Sequence, residues 1–130
     1  MATSQRLVME LTRGGERICA RCVVARTPLR RMKGLLGRRA LPASEGLLLQ
    51  PASAVHTCFM RFPIDVVFLD RDLRVLRVAE NVRPWRFASA RGARSVLELP
   101  GGAARRNGLR AGQQLVGGPI PEPGDEDSLL

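Results

Sequence analysis

The chain has 130 residues, with 21 basic and 12 acidic side chains and a formal net charge of +9; aromatics are only 4% and there is no Tyr. That length suits one domain with a single core and is too short for a two-domain cofactor enzyme. No apolar run approaches the roughly 18 residues that span a bilayer, and the N-terminus has no apolar signal core, so the expectation is a cytoplasmic chain without a membrane segment.

Leu7, Met9 and Leu11 alternate, Gly14-Gly15 is a turn signal, and Glu16 to Val24 resumes the alternation, which reads as a β-hairpin. That register sends Ile18, Ala20, Cys22 and Val24 inward and Arg17, Cys19 and Arg21 outward. Thr27-Pro28 then switches the period: a good N-cap is followed by a favoured first helical residue. Leu29, Met32, Leu35 and Leu36 form a helical stripe that Gly37 closes. Leu47-Leu48-Leu49 reads as a short strand broken by Gln50-Pro51. Ile64 to Leu69 is continuous and β-branched, the pattern of a strand covered on both faces. Asp70-Arg71-Asp72 turns the chain into a returning strand, Leu73 to Ala79. Asn81 to Gly92 reads as an irregular excursion, Ser95 to Leu99 as another strand, and Ala103 to Asn107 as a turn of helix closed at Gly108, before an edge strand near Leu115-Val116. Residues 117–130 hold three Pro, three Gly and four acids and read as a disordered acidic tail. The expected fold is therefore mainly β, a barrel-like or sandwich domain over residues 1–116, of short antiparallel strands with one or two short helices.

The residues then carry a resemblance. Arg31-Met32-Lys33-Gly34-Leu35-Leu36, Gly46-Leu47-Leu48-Leu49, the block from His56 through Leu69, Val96-Leu97-Glu98-Leu99-Pro100-Gly101-Gly102 and Gly108-Leu109-Arg110-Ala111-Gly112 resemble, in order and spacing, the bacterial and archaeal family known as domain of unknown function one-nine-two. The resemblance covers roughly residues 5–116 and implies a mostly β, barrel-like or sandwich fold. It implies no activity, because the family has none firmly assigned. Here Met60 is flanked by Phe59 and Arg61, a departure from the family's commoner Trp-Met-Lys-Asn form.

His56 is the only imidazole, the usual proton-transfer group near neutral pH. A cleft gathering His56, Thr57, Met60, Asp65 and Glu98 would offer a base, a hydroxyl and two carboxylates to a polar or anionic small molecule. The plainer reading is that Asp65 and Glu98 accept loop N–H groups and His56 caps a turn. No nucleophile elbow, phosphate-cradling loop or dinucleotide fingerprint is present, so no cofactor is expected and no catalytic residue is assigned.

Cys19, Cys22, His56 and Cys58 offer four zinc-type donors. Residues three apart on an extended strand point to opposite faces, so Cys19 and Cys22 are expected to diverge and no metal site is assigned. A structural disulfide is not expected in a cytoplasmic setting.

The charge is uneven. Four of the twelve acids fall between Glu122 and Asp127, leaving residues 1–116 with 21 basic against eight acidic side chains, a net +13. Arg26, Arg30, Arg31, Lys33, Arg38 and Arg39 put six cations within 14 residues, a candidate polyanion-binding cluster. The Arg-rich, Lys-poor composition is also what GC-rich codon usage produces, and a solvated Arg-rich helix face is the ordinary outcome. Two functional classes follow: a monomeric small-molecule-binding domain, and a nucleic-acid-binding accessory protein.

Overall fold

The structure, a computed structural model, describes residues 7–26, 41–58 and 60–120. The helix expected between Thr27 and Gly37, and the tail beyond residue 120, lie outside the described residues.

Among the described residues, nine strands and one short helix follow the chain: β1 (Leu7–Arg13), β2 (Glu16–Ala25), β3 (Glu45–Leu49), β4 (Ala54–His56), β5 (Ile64–Leu69), β6 (Val75–Val82), β7 (Phe87–Ser89), β8 (Ser95–Pro100), α1 (Ala103–Arg106) and β9 (Val116–Gly118). Seven strands form one sheet in the order β6-β5-β8-β3-β2-β1-β9, and β4 and β7 pair in a separate ribbon. All pairings are antiparallel except β2 with β3. The fold is thus mainly β, and the large sheet curls into a half-barrel.

The curl brings the two ends of the sheet toward one another. Arg74, at the start of β6, bridges to Gln114, while the Val75 N–H donates to Gln113 O at 2.8 Å and the Leu115 N–H to Leu73 O at 3.0 Å. Two residues later the same segment becomes β9 and pairs with β1. Strand β9 includes Gly117 and Gly118, so the folded unit reaches past the expected boundary at residue 116.

Strand alternation divides the interior in two. One cluster joins Leu11, Leu48, Val67, Leu69, Val75, Leu97, Leu99 and Leu115 with Ala103, Ala104 and Leu109 around α1. Its members come from both ends of the sheet, so it fills the inside of the curl. The second joins Leu47, Leu49, Ile64, Val66, Phe68 and Val96 with Val55, Met60 and Ala88, and lies between the sheet and the β4–β7 ribbon. Strand β5 contributes to both and is buried at all six positions, as its unbroken apolar run predicts. Arg77 fastens the ribbon side: its guanidinium lies 5.7 Å from the Phe68 ring centroid and donates to Ser89 O at 2.6 Å.

The first hairpin departs from the expected alternation. Met9 pairs with Cys22 and Leu11 with Cys19, so three residues of β2 advance against two of β1; the next step, from Leu11–Cys19 to Thr12–Arg17, again leaves an extra residue on β2. These bulges rotate the side chains of β2. Ile18, Cys19 and Cys22 all enter the inner cluster, and the expectation that Cys19 faces outward and diverges from Cys22 is corrected.

Candidate functional site

Asp65 is fully buried on β5. Its Oδ1 accepts the Asn81 N–H at 2.8 Å and its Oδ2 the Ala104 N–H at 2.8 Å. One carboxylate thereby ties the end of β6, where Asn81 has a positive φ of 49°, to the first turn of α1. For Asp65 alone, this matches the expectation that its carboxylate accepts backbone N–H groups. Glu98 is also buried, but it pairs with Val66 on one side and Leu47 on the other, both members of the ribbon-side cluster. Asp65 pairs with Leu99 and faces the inner cluster. The two carboxylates therefore leave the sheet on opposite faces and share no cleft. Met60 packs in the ribbon-side core, and His56 is exposed. Strand parity separates Asp65 from Glu98, and His56 stands exposed on the separate ribbon, so the expected gathering of the three is corrected. An open groove of about 560 Å³ is lined by Leu76, Val78, Leu109, Arg77, Arg105 and Arg110 among others, and none of the expected pocket residues borders it.

Thr57 has a definite role. It is fully buried, and its hydroxyl donates to Arg83 O at 2.6 Å while accepting the Arg86 N–H at 2.8 Å. Its backbone adds two bonds, Thr57 N–H to Arg86 O at 2.8 Å and Trp85 N–H to Thr57 O at 3.0 Å. The loop Arg83-Pro84-Trp85-Arg86 is thus pinned at both ends to one residue. Trp85 is held at φ 65°, a region that costs a non-glycine residue roughly 1–2 kcal/mol. A backbone held in such a conformation by its surroundings is a recurrent mark of a functional position.

What the loop presents is the most distinctive surface of the molecule. Trp85 is 58% and Phe87 72% exposed, two of the three large hydrophobic side chains on the surface of the described residues. Phe87 is the register partner of His56, so ring and imidazole share the outer face of the ribbon, while Val55 and Ala88 fill the core on the other. Arg83 and Arg86 are both exposed, Arg83 just before Trp85 and Arg86 between the two aromatics in the chain. Among the described residues no carboxylate pairs with either. The sequence signal was the alternation Arg83-Pro84-Trp85-Arg86-Phe87, concealed inside what reads as an irregular excursion.

The four zinc-type donors do not gather. Cys19 and Cys22 lie in the inner cluster, whereas His56 and Cys58 belong to the ribbon and the turn that follows it. Among the described residues no three His, Cys, Asp or Glu side chains group as a metal site. Of the basic cluster only Arg26 is described, and it is exposed; Arg30, Arg31, Lys33, Arg38 and Arg39 lie outside the described residues. No helix among the described residues is long and apolar enough to cross a membrane.

A curled, mostly antiparallel sheet with a two-stranded ribbon packed on one face defines a small, mainly β domain. The chain belongs to the family DUF192, described as uncharacterised ACR, whose model matches residues 9–117. It is similar to a solved protein of unknown function from Novosphingobium aromaticivorans DSM 12444, with 29% identity, a TM-score of 0.74 and coverage of 86% of this chain and 85% of that one. It shares its fold with a protein from Sinorhizobium meliloti 1021 described as a "putative transcription regulator", at 23% identity, a TM-score of 0.73 and coverage of 87% and 94%. No curated protein matches.

Proposed function

We propose that this domain is a binding module for an anionic ligand that carries a planar ring, the chemistry of a nucleotide, either free or within a single strand. The observation that supports this reading is the pair of exposed rings at Trp85 and Phe87, with His56 beside Phe87 across the β4–β7 ribbon and the exposed Arg83 and Arg86 close by in the chain. Indole and phenyl faces stack on a base of any identity, at roughly 1–3 kcal/mol per base, while guanidinium groups take phosphate. The net charge of +9 adds a long-range field that draws anions in. The face is open on the solvent side, which suits a strand passing across it better than a molecule enclosed in a pocket.

Trp85 is the only tryptophan in the chain, so its emission reports ligand contact directly. The probes are adenosine monophosphate, a single-stranded DNA oligonucleotide of mixed sequence, and inorganic phosphate as a charge-only control. The reading requires quenching by the oligonucleotide or the mononucleotide, weakened at least tenfold by Arg83→Glu with Arg86→Glu and by Phe87→Ala. A strand-specific response that falls steeply with salt identifies the polymer; equal affinity for the mononucleotide identifies the small molecule. No quenching at low salt, or quenching indifferent to those substitutions, overturns it. Charge reversal at Arg30 and Arg31 separates this face from the alternative polyanion site in the 26–39 cluster.

A further inference from the structure

Cys19 and Cys22 take no part in the ribbon surface, yet the fold places both sulfurs together. We propose that they form a reversible intramolecular disulfide across the β2 bulge, making the inner core of the domain responsive to peroxide. In a regular strand the spacing would forbid this. Here the three-residue step from Cys19 to Cys22 lies opposite the two-residue step from Leu11 to Met9. Two extended residues span about 6.6 Å, at the upper end of the roughly 4.4–6.8 Å between Cα atoms that a disulfide accepts. Both side chains enter the same cluster, and both are almost fully buried, at 1% and 0% exposure.

The neighbours leave the site to these two residues. Gly46 is the register partner of Cys22 on β3, and a Cβ at that position would stand 2.9 Å from Cys19 Sγ. The missing side chain is the space that the Cys19 sulfur occupies. The Cys19 thiol also points toward Ser44 O, at 3.9 Å, in the exposed Pro42–Ser44 turn that covers it. A small oxidant reaches the sulfur by displacement of that turn.

The electrostatics give the order of events. A hydrogen bond from the Cys22 thiol lowers the Cys19 pKa, with a further contribution from the Arg21 backbone, against the opposing effect of burial. The same bond and burial raise Cys22. Cys19 is therefore the attacking sulfur and Cys22 the resolving thiol. The Cys19 thiol gives up its proton and the thiolate attacks the terminal oxygen of a hydroperoxide; the O–O bond breaks, the other oxygen leaves and takes up that proton as water or alcohol, and Cys19 becomes a sulfenic acid. Cys22 then attacks the Cys19 sulfur; the S–S bond forms, the S–O bond breaks, and the hydroxyl leaves with the Cys22 proton as water. Two thiols supply two electrons and two protons, and the peroxide accepts both. A dithiol reductant reverses the bond by exchange.

Arg21 lies between the two cysteines, so trypsin separates them into Ile18–Arg21 and Cys22–Arg26. The full chain is treated with hydrogen peroxide, denatured with N-ethylmaleimide and digested. The expected product is those two peptides joined through sulfur, lost on treatment with dithiothreitol and retained in Cys58→Ser. In Cys22→Ser a dimedone adduct is expected on Cys19. Recovery of both peptides separately alkylated overturns the proposal, as does sulfinic acid on Cys19 beside alkylated Cys22, or a bond from either cysteine to Cys58. The readout on the unsubstituted chain stands even where Cys22→Ser fails to fold. Because nucleotide binding plays no part in the assay, its outcome is independent of the ribbon surface.

Discussion

Asp65 and Glu98 sit one register step apart on neighbouring strands, yet their side chains leave the sheet on opposite faces: Asp65 opposite Leu99 toward the inner core, and Glu98 opposite Val66 toward the ribbon. Two acids close in the sheet thus act as separate elements of the fold. Asp65 is an internal clamp whose two oxygens each accept one backbone N–H.

Asp65→Ala should therefore be strongly destabilising, because it leaves the buried Ala104 N–H and the part-buried Asn81 N–H without their acceptor. A charge-assisted bond contributes about 1.5–3 kcal/mol, so the loss should be about 3 kcal/mol or more. Asp65→Asn keeps one acceptor oxygen and should lose about half as much. Urea unfolding followed by far-UV circular dichroism measures both; equal stability of the two variants would contradict the clamp.

Thr57→Val keeps the shape of the side chain and removes its hydroxyl. The bonds to Arg83 O and from the Arg86 N–H disappear, at a cost of about 1 kcal/mol for each part-buried bond lost. The larger effect should be local: faster amide exchange at Arg86, and a Trp85 emission that reports a loosened loop. Thr57→Ser should restore both. Unchanged exchange at Arg86 would show that Thr57 does not hold the loop.

Gly46→Ala places a methyl group 2.9 Å from Cys19 Sγ and 3.1 Å from the backbone oxygen of Glu98. Overpacking of this kind costs about 1–3 kcal/mol. Adding Cys19→Ala removes the sulfur and should recover part of the loss, giving a non-additive double-mutant cycle. Strict additivity in thermal unfolding would mean that the glycine answers only to the backbone.

Asp70 titrates below its ordinary 3.8, because its carboxylate accepts the N–H of Arg74 and, against an opposing effect of desolvation, that of Asp72, with the Arg74 and Arg71 charges adding to these. A depressed folded pKa stabilises the native state above the unfolded value and loses that contribution as pH falls through the folded one. Replacing Asp70 with Asn should thus lower stability at neutral pH and flatten the acid limb of the stability profile below about pH 4. A carboxyl titration followed by NMR that gives an ordinary value for Asp70 would refute this.

Much of the fold was legible because it rests on local periodicity. The Gly14-Gly15 hairpin, the continuous apolar run Ile64–Leu69, the turn at Asp70–Asp72 and the short helix after Gly102 all appear where the sequence puts them. Strands β4 and β7 are not legible in the sequence because each has only three residues, too few for a period to show. They exist because together they cover the hydrophobic outer face of the sheet. The candidate site was half legible. Its aromatics and cations stand in the chain in plain view, but nothing local says that Phe87 will project beside His56.

Composition, charge, the order of most strands and the family pattern were determined by the sequence alone, because each depends on neighbours along the chain. Which face a side chain takes was decided only by tertiary pairing. One extra residue in a strand reverses every orientation beyond it, so the β2 bulges brought Cys19 and Cys22 together, and strand parity set Asp65 and Glu98 apart.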